Sequence, residues 1–174
     1  MAATELPSGI VVKSHDATGR NQVWIEIGTD VLAVDAAVGD TPKGATPQFG
    51  ISTGAGWVVT ATTELRPETR KPTDDSARRA AIIVRSGFTL ASSEREVVII
   101  DLGRSATASD VAVWLPSDRV LITGRICDQD RIDANTDSDT LAWSRALQEL
   151  LDLEPEVVVP GRGAPGGAEA VAVC

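Results

Sequence analysis

Three apolar runs in quick succession, EVVIIDLG (96–103), DVAVWLP (110–116) and RVLITG (119–124), constrain this chain more than anything else in it. Each is rich in Val and Ile, each is short, and each stops at Gly, Pro or Asp, so all three read as strands. Pro116-Ser117-Asp118 reads as a tight turn between the second and the third. Downstream, DSDTLAWSRALQELLDLEP (137–155) places Trp143, Leu147, Leu150 and Leu151 on one helical face. Asp137 or Ser138 is expected to cap this helix, and Pro155 follows its end. The helix then runs straight into another strand, EVVVPG (156–161). A helix leading into a buried strand excludes an all-β sandwich and predicts an α/β or α+β class.

The first half offers further strands at GIVVK (9–13), QVWIEIG (22–28), DVLAVDA (30–36) and GWVVTAT (56–62), with a tight turn at Gly28-Thr29-Asp30. TDDSARRAAIIVRSG (73–87) reads as a second helix, opened by Thr73 or Asp74 and closed by Gly87. Residues 37–55, AVGDTPKGATPQFGISTGA, carry no helical period and are expected to be an irregular loop. So long a loop is either disordered or ordered by something it contacts. The whole chain, 174 residues, suits a single domain, 1–174.

Charge and residue counts exclude several function classes. Net charge is −9, so a phosphate backbone is repelled and no nucleic-acid partner is expected. No apolar run reaches the length of a bilayer span, and MAATELPSG lacks a basic region followed by an apolar one, so the expectation is a cytoplasmic protein without a membrane partner. Cys127 and Cys174 make neither a disulfide framework nor a zinc knuckle, and read as two free thiols. There is one histidine, His15, which excludes any mechanism built on several imidazoles.

DLGRSATASDVAVWLPSDRVLITGR (101–125) and WSRALQELLDLEPEVVVPGRG (143–163) resemble the metallo-β-lactamase superfamily in pattern and spacing. Its members commonly show His-Thr before a strand ending in Leu-Pro, then a strand ending in Thr-Gly-Asp, and later a helix leading to Val-Val-Val-Pro-Gly-His-Gly. LPSGIVV and NQVWIEIGTDVLAVDAAVG resemble the family's opening hairpin, while residues 37 to 95 match poorly. The resemblance covers about two thirds of the chain and is strong only from 96 onward. It implies a reduced αββα sandwich of mixed sheets with flanking helices.

The departures fall on the metal ligands. By this resemblance the histidine of the family's His-Thr pair falls on Ala106, its bridging aspartate on Arg125 and its last histidine on Arg162. The histidine-rich motif expected after GWVVTAT is replaced by TTELRPE, in which Glu64, Arg66 and Glu68 read as a solvated charge cluster and not a catalytic one. Zinc takes imidazole, thiolate or carboxylate, and a guanidinium stays protonated and cannot ligate. The implied protein is therefore a degenerate, metal-free member with no cofactor and no zinc-hydrolase activity.

Two function classes follow. The first is a pseudoenzyme acting as a binding or partner subunit, as a homodimer or the silent half of a heteromer. The second is a metal-independent enzyme of small-molecule (secondary) metabolism, a biosynthetic lyase, cyclase or transferase. In it Arg125 and Arg162, helped by Arg104, would bind an anionic small molecule or leaving group through bidentate forks. Asp101 or Asp110 would act as the general base in an elimination, cyclisation or group transfer. Against the anion site stands the reading that each arginine pairs with an acid such as Asp101, Asp128 or Asp130. Asp35 falls where the family often has a structural aspartate near its pocket.

Two motif matches carry less. GISTG (50–54) fits Gly-x-Ser-x-Gly, but a strand follows it where a nucleophile elbow requires a helix, and its only base would be His15. GRGAPG (161–166) fits a dinucleotide fingerprint, yet Pro165 interrupts the helix that such a motif must open.

Overall fold

The computed structural model describes residues 5–14, 18–36, 49–53, 57–60, 81–83, 87–129, 137–172 and 174. Six strands form one sheet in the order β1 (Ile10–Ser14), β2 (Asn21–Ile27), β3 (Asp30–Val34), β4 (Phe49–Ser52), β5 (Trp57–Thr60) and β6 (Ala81–Ile83). Five more form a second sheet, β7 (Phe88–Ala91), β8 (Glu96–Gly103), β9 (Asp110–Leu115), β10 (Val120–Asp128) and β11 (Val157–Arg162), in the order β11-β10-β9-β8-β7. Helix α1 (Thr140–Leu151) and the short α2 (Glu169–Ala172) complete the described elements. Both sheets are mixed, because β3 pairs parallel with β4 and β10 pairs parallel with β11. The class is α+β, two sheets with few flanking helices.

Alternation along the strands builds the sandwich. Val23, Ile25 and Ile27 of β2 face inward with Leu32 and Val34 of β3, against Val97, Ile99, Val111, Val113, Leu115 and Ile122 of the second sheet. Fully burying one such side chain is worth about 1.5–3 kcal/mol, so this layer is the main reason the two sheets stay together. The opposite face of β9, β10 and β11 presents Ala112, Trp114, Leu121 and Val158 to Trp143, Ala146 and Leu150 of α1. Trp143 carries its polar edge into this second layer and satisfies it by donating from Nε1 to the Ile126 carbonyl, 2.7 Å away.

The structure departs from the sequence-based expectations in several places, among them strand β7 and helix α2, which stand where no element was expected. The helix expected over 73–87 falls largely outside the described residues, and its described part, Ala81–Ile83, is a strand paired with β5. Inside the expected loop 37–55, Phe49–Ser52 is a strand that lies parallel to β3. Helix α1 is capped by Asp139, which accepts from the Ala142 amide at 3.0 Å, and not by Asp137 or Ser138. Cys127 and Cys174 were expected to be free thiols. They are joined in a disulfide instead, with Cα atoms 5.2 Å apart across a sequence separation of 47. No helix among the described residues is long and apolar enough to cross a membrane.

Candidate functional site

One rim of the sandwich brings Arg20, Asp35, Arg125, Asp128 and Arg162 near one another, and a break in β10 helps to place them. Pairing with β11 is regular from Val120 to Ile122 and then shifts register on both sides of Gly124. Gly124 has φ +55°, the left-handed region that a bulge glycine supplies. The extra residue re-aims Arg125 and lets β10 run on to Asp128, opposite Arg162 of β11.

Thr53, just past β4, packs into the space that a Gly124 side chain would need and is fully buried. Its backbone carbonyl accepts from the Val111 amide at 3.0 Å, and its hydroxyl accepts from the Arg125 amide at 3.3 Å. Across the other sheet it donates twice to Asp35, from its amide to Oδ1 at 2.8 Å and from its hydroxyl to Oδ2 at 2.5 Å. Thr53 therefore couples the end of β3 to β9 and β10. Asp35 has φ +51°, which an aspartate tolerates because its short polar side chain can bond locally.

Burial pushes the Asp35 carboxyl above its ordinary pKa, and the two bonds from Thr53, then Arg20 and Arg125, pull only part of the way back. A carboxyl raised in the folded state stabilises most where it is protonated, below the ordinary value of about 3.9. That contribution fades as pH rises through the folded pKa. Asp35→Asn keeps an acceptor for the Thr53 amide and supplies a donor to its hydroxyl, but cannot ionise. In denaturant titrations at stepped pH, the stability of Asp35→Asn relative to the natural chain should therefore rise from acid towards neutral pH. Parallel curves for the two proteins would sink this account.

Asp128 is the second centre. Its side chain is 4% exposed, and one oxygen, Oδ2, accepts from Arg20 Nη2 and from Arg162 Nη1, each at 3.3 Å. Arg20 comes from the turn ahead of β2 and forms an isolated bridge with Arg162. Asn21 secures the same corner by donating from Nδ2 to the carbonyls of Pro160, at 2.9 Å, and Gly163, at 2.8 Å. Burial lowers the Arg20 pKa, Asp128 opposes that shift, and the charges of Arg125 and Arg162 lower it further. Guanidinium pKa values start high enough that the group stays charged.

Arg125 differs from its neighbours. Among the described residues no carboxylate forms an ion pair with it and its side chain makes no hydrogen bond, while its backbone amide donates to the Thr53 hydroxyl. It stands near enough to Arg20 to repel it and near enough to Asp35 to attract it.

The other candidates lie elsewhere. Arg104 turns its Nε to the Asp137 carbonyl at 2.6 Å, ahead of α1. Asp101 accepts from the Gly103 amide at 3.0 Å, as a turn former does. Asp110 is buried and takes bonds from the Ser105 hydroxyl at 2.8 Å, the Thr107 amide at 2.7 Å and the Thr107 hydroxyl at 2.8 Å. These bonds shape the loop that carries Ala106, which is buried against the second core layer. His15, Glu64, Arg66, Glu68 and Asp130 lie outside the described residues.

Arg20 and Thr53 escaped the sequence reading. Arg20 sits in a polar turn with no periodic signal, and the interest of GISTG falls on Ser52, which is exposed, one residue before the buried Thr53.

This donor set does not fit a zinc centre. Two of the positions assigned to ligands carry guanidinium groups and the third an alanine methyl. Asp35 and Asp128 are engaged by Thr53 and by the arginines. Among the described residues no group of three or more His, Cys, Asp or Glu side chains could hold a metal.

No protein-family model matches the chain, and no curated protein matches it. Solved structures do. A metallo-β-lactamase from Pontibacter korlensis superposes with a TM-score of 0.66 at 17% identity, over 98% of this chain and 95% of the other. The DIM-1 metallo-β-lactamase gives 0.64 at 17% identity, over 97% and 92%. A metallo-β-lactamase from Hirschia baltica gives 0.62 at 16% identity, over 97% and 93%.

Proposed function

From a chain with the metallo-β-lactamase fold, whose ligand positions hold two arginines and an alanine, we infer a non-hydrolytic role: a pseudoenzyme that acts as a binding or partner subunit in a homodimer or heteromer. One observation carries this reading. Asp128 shared between Arg20 and Arg162 ties β10, β11 and the start of β2 by ion pairing at the rim where the resemblance puts the family's metal. That rim now serves cohesion between elements, which suits a scaffold better than a hydrolase.

A second reading rests on Arg125, the guanidinium with no acid paired to it among the described residues. An oxyanion, whether a carboxylate, phosphate or sulfate of a small molecule, would complete it with a bidentate fork. If chemistry survives, this charge would hold an anionic substrate or leaving group for a metal-independent elimination, cyclisation or group transfer.

The deciding measurement is native mass spectrometry of the purified full chain, first without additives and then with inorganic phosphate or citrate. The subunit reading expects a dimer mass, or an assembly recovered from the source cell that survives purification. The anion reading expects adducts that Arg125→Ala weakens by roughly tenfold or more, the worth of a charge-assisted pair. A bare monomer that recruits neither partner nor anion defeats both readings, and one or two bound zinc ions would overturn the metal-free premise. Arg125→Ala should also leave stability within about 0.5 kcal/mol of the natural chain, since it breaks no side-chain bond among the described residues. A large loss on thermal unfolding would show that Arg125 is structural.

A further inference from the structure

The Cys127–Cys174 disulfide takes no part in the ion pairs of the rim. Cys127 lies near the end of β10, fully buried, beside Ile126, Trp143, Ala170 and Val171 in the second core layer. Cys174 lies just beyond α2 and is only partly buried. The bond therefore joins β10 to the segment that packs α2 over that layer, and Cys127 immediately precedes Asp128.

A single backbone carbonyl faces both sulfurs. Ala170 O is 3.3 Å from Cys127 Sγ and 3.0 Å from Cys174 Sγ. A disulfide has no proton to donate there, whereas two thiols do. The pocket thus has an acceptor ready for the reduced pair as well as room for the oxidised one. The accessibility is one-sided, because a nucleophile can approach Cys174 while Cys127 is closed off.

We propose that Cys127 and Cys174 form a reversible redox site, closed as a disulfide that clamps α2 onto the sheet and opened by a small dithiol attacking Cys174. In the first step the dithiol's thiolate bonds to Cys174 Sγ, the Cys127–Cys174 bond breaks, and Cys127 leaves as a thiolate that takes a proton from water. In the second, the reagent's other thiolate attacks its own sulfur in the mixed disulfide and releases Cys174. The protein gains two electrons and two protons, and the dithiol becomes a cyclic disulfide. Closure is the reverse, with a small-molecule disulfide as the oxidant. Such a pair follows the redox poise of its surroundings.

The test uses the full chain equilibrated across ratios of reduced to oxidised dithiothreitol, with thiols counted by maleimide and an intact mass. Hydrogen exchange of residues 169–172 is followed in parallel. The expected result is no reactive thiol in the oxidised protein and two after reduction, restored to none on reoxidation. Exchange over α2 should speed up roughly tenfold or more on reduction while β8 and β9 stay protected. Cys174→Ser, which leaves the buried Cys127 in place, should show the fast exchange of α2 at every redox ratio. Two reactive thiols in the fully oxidised buffer would overturn the proposal. So would an α2 that exchanges at one rate in both states, or a reduced protein that cannot be closed again.

Discussion

Gly124→Ala should unfold the chain or cost it about 3–5 kcal/mol. Two penalties add. The left-handed backbone at φ +55° is strained for any residue with a Cβ. The added Cβ would also overlap the Thr53 side chain at its Oγ1, Cβ and Cγ2. Thr53 cannot rotate away without giving up its bonds to Asp35 and its place against Arg125. Urea unfolding of Gly124→Ala, of Thr53→Gly and of the double variant separates the terms. If the clash dominates, the double variant costs less than the two single losses added together. Strict additivity would leave backbone strain as the whole effect.

The second large effect is expected at Asp128. Asp128→Ala removes the carboxylate between two arginines whose side chains are 21% and 17% exposed. Removing one partner of a buried pair leaves uncompensated charge, and the cost is about 3 kcal/mol. Arg162→Ala should cost less, because Arg20 still holds Asp128. Asp128→Asn should fall between, since it keeps the shape and an acceptor but not the charge. Added salt should recover part of the Asp128→Ala loss by screening the remaining like charges. Equal stability of the Ala variant and the natural chain in thermal melts would show that the shared carboxylate contributes nothing to cohesion.

The sequence disclosed the second sheet best, and the reason is physical. Strands β8, β9, β10 and β11 carry dense Val and Ile runs with clear stops, and α1 shows a full apolar face. Pattern and period suffice where the elements are long and local. Strand β4 was hidden because Phe49–Ser52 is only four residues in a Gly- and Thr-rich stretch, and its first partner, β3, lies beyond an intervening segment. Ala81–Ile83 reads as helix because alanine and charged residues surround it, and pairing with β5 overrides that propensity.

The site was legible in part. Arg125 and Arg162 stood out as charges where the resemblance expected ligands, and Asp128 was among the acids foreseen as a partner. Arg20 and Thr53 were not legible, because each acquires its role only through contacts far away in sequence. The disulfide was invisible for the same reason, since a separation of 47 residues says nothing about proximity in space.

The sharing of one carboxylate between two arginines also governs what this rim can become. Suppose a metal centre were to be built here one substitution at a time. Replacing Arg162 with histidine leaves Asp128 held by Arg20 and still unavailable as a ligand. Replacing Arg20 leaves Arg162 on the same oxygen, and altering Asp128 first strands both cations. Arg125 would also have to become a carboxylate beside Asp35, a group already reluctant to ionise. Each of these first steps loses stability and none by itself supplies a ligand set, so a metal centre at this rim requires several residues to change together. The ion pairs that hold this corner act as a ratchet, and they define the smallest block of residues that a designer would have to move at once.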